Sequence, residues 1–346
     1  MDISERTINN SFPPFVIAEM SGNHGRSLER AKEIVEAAAR VGADAVKIQT
    51  YTADSMTLDI DHDEFMLKEE GSPWNGTSLY QLYERAHTPL DWHEPIFTLA
   101  KELGIICFSS VFDDTAVDYL ENLNVPAYKI ASAECVDLPL IRKVSETKKP
   151  LIVSVGMATV DEINEIIETI KLSGNDNFAL LKCTSAYPSP PDSSNISTIS
   201  HMKNQFGCEI GISDHTMGIG TAVASISFGA TIIEKHFTLD REDGAIDSFF
   251  SLDPSEFTVL VDECRRAWAS IGNITYGPTL SEKQSILNRR SLYIGRNMKA
   301  GDQLTTENLR RIRPGFGLAP RYYDELLGKK VRVDVKKGTP VSFDIF

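Results

Sequence analysis

Eight short apolar runs, alternating with longer helical patterns, constrain the fold of this chain more than any other feature. The runs lie at residues 15–20, 45–50, 105–110, 127–131, 151–155, 179–183, 209–213 and 231–235. Near-continuous apolar strands separated by helices are typical of a parallel sheet that is covered by helices. Eight such units within roughly 270 residues match the usual size of a closed barrel. We therefore predict an α/β protein with a (β/α)₈ TIM barrel over residues 1–272.

The first predicted helix shows how local signals limit one such unit. Ser27 is a preferred N-cap residue, and Gly42 is a natural residue just beyond a helix end. Between them, apolar side chains recur at three- and four-residue spacing, at Leu28, Ala31, Ile34, Val35, Ala38 and Val41. This spacing predicts a helix that buries one apolar stripe against the barrel.

Two further segments depart from the strand–helix alternation. Residues 52–92 form a long insertion after the second strand, and insertions of this length are often lids or partner contacts. Residues 273–286 have the composition of a linker. Residues 287–346 contain short β-like runs at 291–294 and 330–335 and no long helical period. About 60 residues barely sustain a core, so we predict a small C-terminal domain that docks against another surface.

Composition narrows the class of partner. The 346-residue chain carries 35 Lys and Arg against 49 Asp and Glu, a net charge of −14. This charge argues against a nucleic acid or an anionic membrane as partner, although a local lysine cluster can still bind an anion. The five cysteines are widely spaced and odd in number, as in proteins of reducing compartments. With no signal-peptide pattern and no membrane-length apolar run, we predict a cytoplasmic protein.

Two histidines stand at equivalent places in consecutive strand–helix units. His215 and His236 each follow a short apolar run, and each has a carboxylate close by, Asp214 or Glu234. The carboxyl ends of neighbouring barrel strands point into one mouth, so the pair predicts a site for one divalent metal. On ligand type alone the ion could be Zn, Fe or Co, and the alternative is two hydrogen-bonded structural histidines.

Two lysines lie inside otherwise apolar strands. Lys47 and Lys129 must point into the barrel mouth or be buried at a large desolvation cost. Together they predict binding of a phosphate or carboxylate, whereas a single lysine would more simply extend to solvent. Hydroxyls at other strand ends could complete this anion site, namely those of Ser110, Ser132, Ser154, Ser185 and Ser213.

Two glutamates are placed for proton transfer. Glu19 closes the first strand behind four apolar residues, and Glu134 follows the fourth strand. Burial in such a setting raises a carboxyl pKa toward neutrality, where it can serve as an acid or base. The alternative role is a salt bridge to Lys47 or Lys129, and the two roles are compatible.

These residues lie in strings that resemble the sialic acid synthase family, the phosphoenolpyruvate-dependent nonulosonic acid synthases. The strings are Ile-Ala-Glu-Met-Ser-Gly-Asn-His-Gly (17–25), Lys-Ile-Gln-Thr (47–50), Ala-Tyr-Lys-Ile-Ala-Ser-Ala-Glu-Cys (127–135), Ser-Val-Gly-Met (154–157), Cys-Thr-Ser-Ala-Tyr-Pro (183–188), Gly-Ile-Ser-Asp-His-Thr (211–216) and Glu-Lys-His-Phe-Thr (234–238). The C-terminal strings Arg-Arg-Ser-Leu-Tyr and Arg-Pro-Gly-Phe-Gly resemble the antifreeze-like (SAF) domain of that family. The resemblance covers nearly the whole chain in the expected order.

The resemblance implies a condensation of phosphoenolpyruvate with the aldehyde of an N-acylated amino sugar. His215 and His236 match the ligands of Mn²⁺, with Mg²⁺ or Co²⁺ as alternatives, and the ion polarises the aldehyde oxygen. Positions that match phosphoenolpyruvate binding are Lys47, Lys129, Ser110, Ser132, Ser154, Ser185 and Ser213. Positions that match sugar contact or proton handling are Glu19, Gln49, Glu134, Tyr187 and Asp247. Glu19 and the two histidines are the implied catalytic residues.

The resemblance also implies a homodimer in which the SAF domain of one subunit covers the barrel mouth of the other. Arg313 matches the arginine that reaches the neighbour's substrate; its alternative role is an ordinary surface charge. Segments 49–58 and 245–254 resemble the branch that makes pseudaminic acid, from 2,4-diacetamido-2,4,6-trideoxy-L-altrose. Phe249 and Phe250 would contact the apolar groups of that sugar or else pack into the barrel rim. N-acetylneuraminate and legionaminate synthesis remain alternatives within the family.

Two other classes of protein remain open from the residues. A Schiff-base aldolase would use Lys47 or Lys129 as nucleophile, but it leaves the histidine pair unexplained. A non-catalytic sugar-binding protein would retain the fold without the chemistry, yet both histidines, both lysines and Glu19 are present.

Overall fold

A computed structural model describes residues 1–68 and 74–346. The chain divides into two compact units, Met1–Gly272 and Asn273–Phe346. No helix in the described part of the chain is both long enough and apolar enough to cross a membrane.

Eight parallel strands, β1 to β8, form a closed barrel in which each strand pairs with the next and β8 pairs with β1. Their bounds are Phe15–Glu19, Ala45–Thr50, Ile106–Val111, Tyr128–Ile130, Leu151–Ser154, Phe178–Cys183, Glu209–Asp214 and Ile232–His236. The predicted TIM barrel is confirmed, and each strand begins and ends within one residue of its predicted position.

Helices follow the strands around the barrel. In the first unit, α1 to α10 are Leu28–Arg40, Ala53–Met56, Leu79–Ala86, His93–Leu103, Asp114–Asn122, Leu138–Glu146, Val160–Leu172, Thr198–Phe206, Gly220–Ser227 and Pro254–Ile271. The predicted N-cap of α1 is confirmed, since the Ser27 hydroxyl accepts a hydrogen bond from the Arg30 amide. Gly42 has a φ of 81°, which suits glycine just beyond the helix end.

The interior of the barrel is apolar at the amino ends of the strands. Inward side chains there form one buried cluster: Phe15, Ile17, Ala45, Phe108, Ala127, Ile152, Ala179, Leu181 and Ile232. Ile3 and Ile8 belong to the same cluster. The N-terminal segment, which includes the paired strands Asp2–Ile3 and Arg6–Thr7, therefore closes the bottom of the barrel and leaves the carboxyl ends for function.

The insertion after β2 contains α2 and α3 rather than an unstructured loop. Its residues 69–73 lie outside the described residues. Its role as a lid or a partner contact remains a prediction.

The C-terminal unit has a core of its own. Strand β9, Ser291–Ile294, pairs antiparallel with β10, Leu309–Ile312, and the short helix α11 spans Tyr323–Leu326. Its buried apolar residues are Leu292, Ile294, Met298, Leu304, Leu309, Leu326, Val331, Val335, Val341 and Ile345. The predicted strand at 330–335 is wrong, because only Lys330 and Val335 form isolated bridges. The true partner strand, Leu-Arg-Arg-Ile, is too polar to stand out as a strand.

Candidate active site

The inward side chains change from apolar to polar toward the carboxyl ends of the barrel strands. They line one small pocket of about 60 Å³. The lining residues are Glu19, Lys47, Gln49, Ser110, Lys129, Ala131, Ser132, Ser154, Cys183, Tyr187, Ser213, His215, Glu234 and His236. Most of the residues predicted from the sequence therefore meet in one place.

Two lysines and two glutamates form a buried ionic network at the base of the pocket. Lys47 Nζ lies 2.6 Å from Glu19 Oε2 and donates to Ser110 Oγ at 2.8 Å. Lys129 Nζ lies 3.4 Å from Glu234 Oε1, which also accepts from Ser213 Oγ at 2.9 Å. Glu234 Oε2 lies 3.8 Å from Lys47 Nζ, so this carboxylate links the two lysines. The two ammonium groups and the two carboxylates of this network carry equal and opposite formal charge.

Burial and the neighbouring charges move these pKa values in different directions. Burial raises the pKa of Glu19, although Lys47 opposes the shift. Burial would also raise the pKa of Glu234, but Lys129 and Lys47 outweigh it and lower that pKa. Burial lowers the pKa of Lys129, whereas Glu19 and Glu234 overcome burial to raise the pKa of Lys47. Of the two carboxyls, Glu19 is therefore the one whose surroundings favour the protonated form.

Three serines and a glycine form a cradle, of which Ser132 and Ser154 line the same pocket as the lysines. The Gly156 amide donates to Ser132 Oγ at 3.1 Å. The hydroxyls of Ser154 and Ser185 are buried and have no hydrogen-bond partner among the described residues. A methyl group at Gly156 would come within 2.7 Å of the hydroxyl oxygens of Ser132 and Ser185. Unused hydroxyls next to buried ammonium groups suit an oxygen-rich anion.

The two histidines lie side by side at the wall formed by β7 and β8. Their ring centroids are 5.3 Å apart, and their planes are inclined at 70°. His215 Nδ1 donates to the Thr184 carbonyl at 2.9 Å, which leaves Nε2 as the free lone pair. Burial holds the pKa of His236 well below its usual value, so its ring is neutral.

This pair fits a shared metal ion. Imidazole nitrogens bind such ions at about 2.0–2.1 Å, and the 5.3 Å between the two ring centroids leaves room for one ion beside both rings. Among the described residues, no group of three or more His, Cys, Asp and Glu side chains is arranged to hold a metal. The protein would therefore supply two ligands, and solvent or substrate would supply the others.

Asp247 reaches the pocket through a hydrogen-bonded chain. Gln49 Nε2 donates to Glu19 Oε1 at 2.8 Å and to Ser21 Oγ at 3.0 Å. Ser21 Oγ in turn donates to Asp247 Oδ2 at 2.5 Å. Burial raises the pKa of Asp247. Tyr187 stands at the pocket opening, 44% exposed, with its ring 4.3 Å from that of His215.

Three predicted residues are placed less directly. Glu134 lies in the turn after β4, outside the pocket lining. Burial raises its pKa, although the nearby charge of Lys129 opposes the shift. Arg313 is exposed and follows β10 in the C-terminal unit. Asp214, which is near His215 in sequence, pairs instead with Lys235 at 2.9 Å on the outer side of the wall.

The structure brings three further residues into the site or next to it. From the sequence, Glu234 is noted only as the carboxylate near His236, and the other two are not named as site residues. Glu234 lies at the centre of the site, and period-two alternation from Ile232 to His236 would have placed it on the inward face. Cys183 also lines the pocket; burial alone would raise its pKa, but contact with His215 lowers it to about 7. Gly156 gave no local signal, because its closeness to the serines depends on three separate strands.

Known protein families match both units of the chain. A NeuB family model matches residues 34–276, and a SAF domain model matches residues 289–345. The pseudaminic acid synthase of Campylobacter jejuni (serotype O:2) is 44% identical over 327 residues, which cover 94% of each chain. The pseudaminic acid synthase of Helicobacter pylori is 40% identical and covers 96% of this chain and 97% of its own. A solved Bacillus subtilis spore coat polysaccharide biosynthesis protein superposes with a TM-score of 0.68 at 30% identity, covering 100% of this chain and 98% of its own.

Proposed function

Because the chain belongs to the NeuB family, which confirms the predicted resemblance, we propose that it is an enzyme that makes pseudaminic acid. The reaction joins phosphoenolpyruvate to 2,4-diacetamido-2,4,6-trideoxy-L-altrose and water and releases phosphate. It is a transferase of the type that cleaves the C–O bond of phosphoenolpyruvate. One observation carries the proposal: two buried lysines and two paired imidazoles line a single pocket.

Phosphoenolpyruvate binds at the lysine side of the pocket. Lys47 and Lys129 supply the positive charge that its phosphate and carboxylate require. The hydroxyls of Ser154 and Ser185 supply donors that have no other partner among the described residues. Ser132 belongs to the same cradle and is held by the Gly156 amide. Ser110 and Ser213 hold Lys47 and Glu234 in place.

The sugar aldehyde lies at the histidine side. A divalent ion bound by His215 and His236, which we propose to be Mn²⁺, would polarise the aldehyde oxygen as a Lewis acid. Tyr187 and Asp247 border this side and orient the sugar, Tyr187 from the opening and Asp247 through Ser21 and Gln49.

Glu19 moves the proton. Carbon 3 of phosphoenolpyruvate forms a bond to the aldehyde carbon, and a water oxygen adds to carbon 2 before the C–O bond to phosphate breaks. The new alkoxide gains a proton and the attacking water loses one, so no net proton donor is required. Glu19 can carry that proton, because burial raises its pKa and Gln49 and Lys47 fix its oxygens. Glu134, which lies outside the pocket lining, is a second candidate proton acceptor after Glu19.

The C-terminal unit completes the site in a homodimer. We propose that it covers the mouth of a second copy and that Arg313 contacts the substrate there. The exposure of Arg313, and of Phe316 at 64%, supports a contact surface on this unit. Mixing an Arg313→Ala chain with a His236→Asn chain tests this proposal: mixed dimers should recover part of the activity that each variant lacks.

The five unpaired cysteines support a cytoplasmic location.

A phosphate-release assay tests the function. Purified enzyme is supplied with phosphoenolpyruvate, with or without Mn²⁺, and with either the 2,4-diacetamido-trideoxy-altrose or N-acetylmannosamine. We expect rapid, Mn²⁺-dependent release with the first sugar only. A clear preference for N-acetylmannosamine would assign the chain to neuraminate synthesis. Activity that survives EDTA, together with borohydride trapping of Lys129, would support the aldolase instead.

A further inference from the structure

The two imidazoles are held by different means. His215 is anchored by a hydrogen bond from Nδ1 to the Thr184 carbonyl at 2.9 Å. His236 Nδ1 is buried and has no hydrogen-bond partner among the described residues. Histidines that bind metals generally donate their second ring nitrogen to a carbonyl or carboxylate, which fixes the ring. His236 therefore lacks the usual anchor.

An aromatic ring takes up the space beside His236. The Phe250 ring centroid lies 4.7 Å from that of His236, with the planes inclined at 53°. The same ring lies 5.6 Å from Tyr187 and 6.3 Å from His215. Phe250 is 2% exposed, so its orientation is set by packing and not by solvent.

The backbone fixes Phe250 relative to β8. Phe250 ends a short turn, Ser248–Phe250, and two residues later the Leu252 amide donates to the His236 carbonyl at 2.9 Å. Ser251 Oγ donates to the Asp247 carbonyl at 2.6 Å and accepts from Asn23 Nδ2 at 2.9 Å. The phenyl ring is thus attached to the same strand as the imidazole on which it packs.

We infer that Phe250 is a positioning residue that holds the His236 ring by packing, in place of the missing hydrogen bond. The inference rests on the proposed function, in which His236 binds the metal. Dispersion contacts between the two tilted rings restrict rotation about the histidine side chain. Phe250 is accordingly packed into the site wall, and it does not contact the sugar.

Metal affinity and ring order test this role in three variants. Phe250→Ala removes the packing, and Phe250→Leu keeps most of the apolar volume. Phe206→Leu is the matched control, because Phe206 is a buried phenylalanine at the end of α8 and belongs to the core between strands and helices. Binding of Mn²⁺ is followed by the electron paramagnetic resonance signal of the free ion. We expect Phe250→Ala to weaken Mn²⁺ binding about 10- to 100-fold, as loss of an outer-shell partner does. Phe250→Leu should lose less, and Phe206→Leu should bind as wild type.

Imidazole ¹H–¹⁵N spectra of the metal-free proteins give a second measurement. The His236 resonances should be single in wild type and broadened or doubled in Phe250→Ala, with those of His215 unchanged. Wild-type Mn²⁺ affinity in Phe250→Ala, combined with a raised KM for the sugar, would overturn the inference and make Phe250 a substrate contact. If wild type binds no Mn²⁺, the metal role of His236 fails with it. If wild type binds Mn²⁺ but uses another sugar, only the substrate assignment fails.

Discussion

The two ends of the barrel interior are built from the same strands but have opposite chemistry. Along β1, the inward positions are Phe15, Ile17 and Glu19; along β8 they are Ile232, Glu234 and His236. Apolar side chains fill the lower part of the interior, and ionisable side chains line the upper part, which on β8 begins at Glu234. The lower layers gain stability from burial, whereas buried ion pairs contribute little net stability. The comparison teaches that the barrel's stability and its chemistry are separated along the barrel axis.

The largest effect that tests this separation is on activity. Lys129→Met removes an ammonium group that pairs with Glu234 in the mouth, so kcat/KM should fall about 1,000-fold, or about 4 kcal/mol, as for loss of one partner of a buried charge pair. Steady-state phosphate release measures it. The control is Lys235→Met, an equally buried lysine on the outer face that pairs with Asp214; it should lower stability and spare kcat/KM. Equal activity losses in both variants would contradict the separation.

The opposite result is expected at the bottom of the barrel. Phe108→Ala empties part of the apolar cluster, where Phe108 is fully buried. The free energy of unfolding should fall by about 3–5 kcal/mol, measured by urea denaturation, with kcat/KM of the folded enzyme unchanged. Val259→Ala, on an exposed part of α10, should change stability little. A loss of activity in Phe108→Ala without a loss of stability would show that the two ends are coupled.

Histidines at the mouth end of the barrel should make the folded protein less stable at acid pH. His24 follows β1, and His93 contacts Thr50 at the end of β2 at 2.7 Å. Burial lowers the pKa of each to about 4, below the usual 6.5, so the unfolded chain takes up their protons first as pH falls. Each histidine should therefore lower the stability by about 3 kcal/mol between pH 6.5 and 4.

Urea denaturation across this pH range measures the slope. His93→Gln should show a shallower loss than wild type, whatever its stability at pH 7. The exposed His201 serves as control, since His201→Gln should leave the slope unchanged. An unaltered slope in His93→Gln would contradict the assignment.

Two glycines give the smallest and most direct comparison. A methyl group at Gly211 would lie 2.4 Å from the Ile232 carbonyl and 2.6 Å from Leu181 Cδ2 in the lower layer. Gly211→Ala should therefore cost about 1–3 kcal/mol of stability with KM unchanged. At Gly156 the close atoms are serine hydroxyls, so Gly156→Ala should disturb about one hydrogen bond and raise KM for phosphoenolpyruvate about tenfold. Thermal unfolding and steady-state kinetics on both variants measure these effects. A raised KM in Gly211→Ala together with a loss of stability alone in Gly156→Ala would contradict the separation of stability and chemistry along the barrel.

Much of this arrangement was predictable from local sequence. The eight strands, the N-cap at Ser27 and the inward placement of Lys47 and Lys129 each depend on a few neighbouring residues, and the structure agrees with all of them. The prediction for residues 330–335 failed because apolar alternation alone does not supply a partner strand. Glu234 was passed over because its importance lies in its neighbours from β4 and β7.

The sequence by itself determined the closed barrel and the kinds of group that face its mouth. Strand alternation is a local property with a period of two residues, so it can be followed without knowledge of any distant contact. The tertiary structure alone decided the partners: Lys129 pairs with a glutamate 105 residues away, and His236 packs on Phe250 without a hydrogen-bond partner for Nδ1 among the described residues. Such pairings depend on the closure and stagger of the barrel, which bring distant strand ends within a few ångströms of one another.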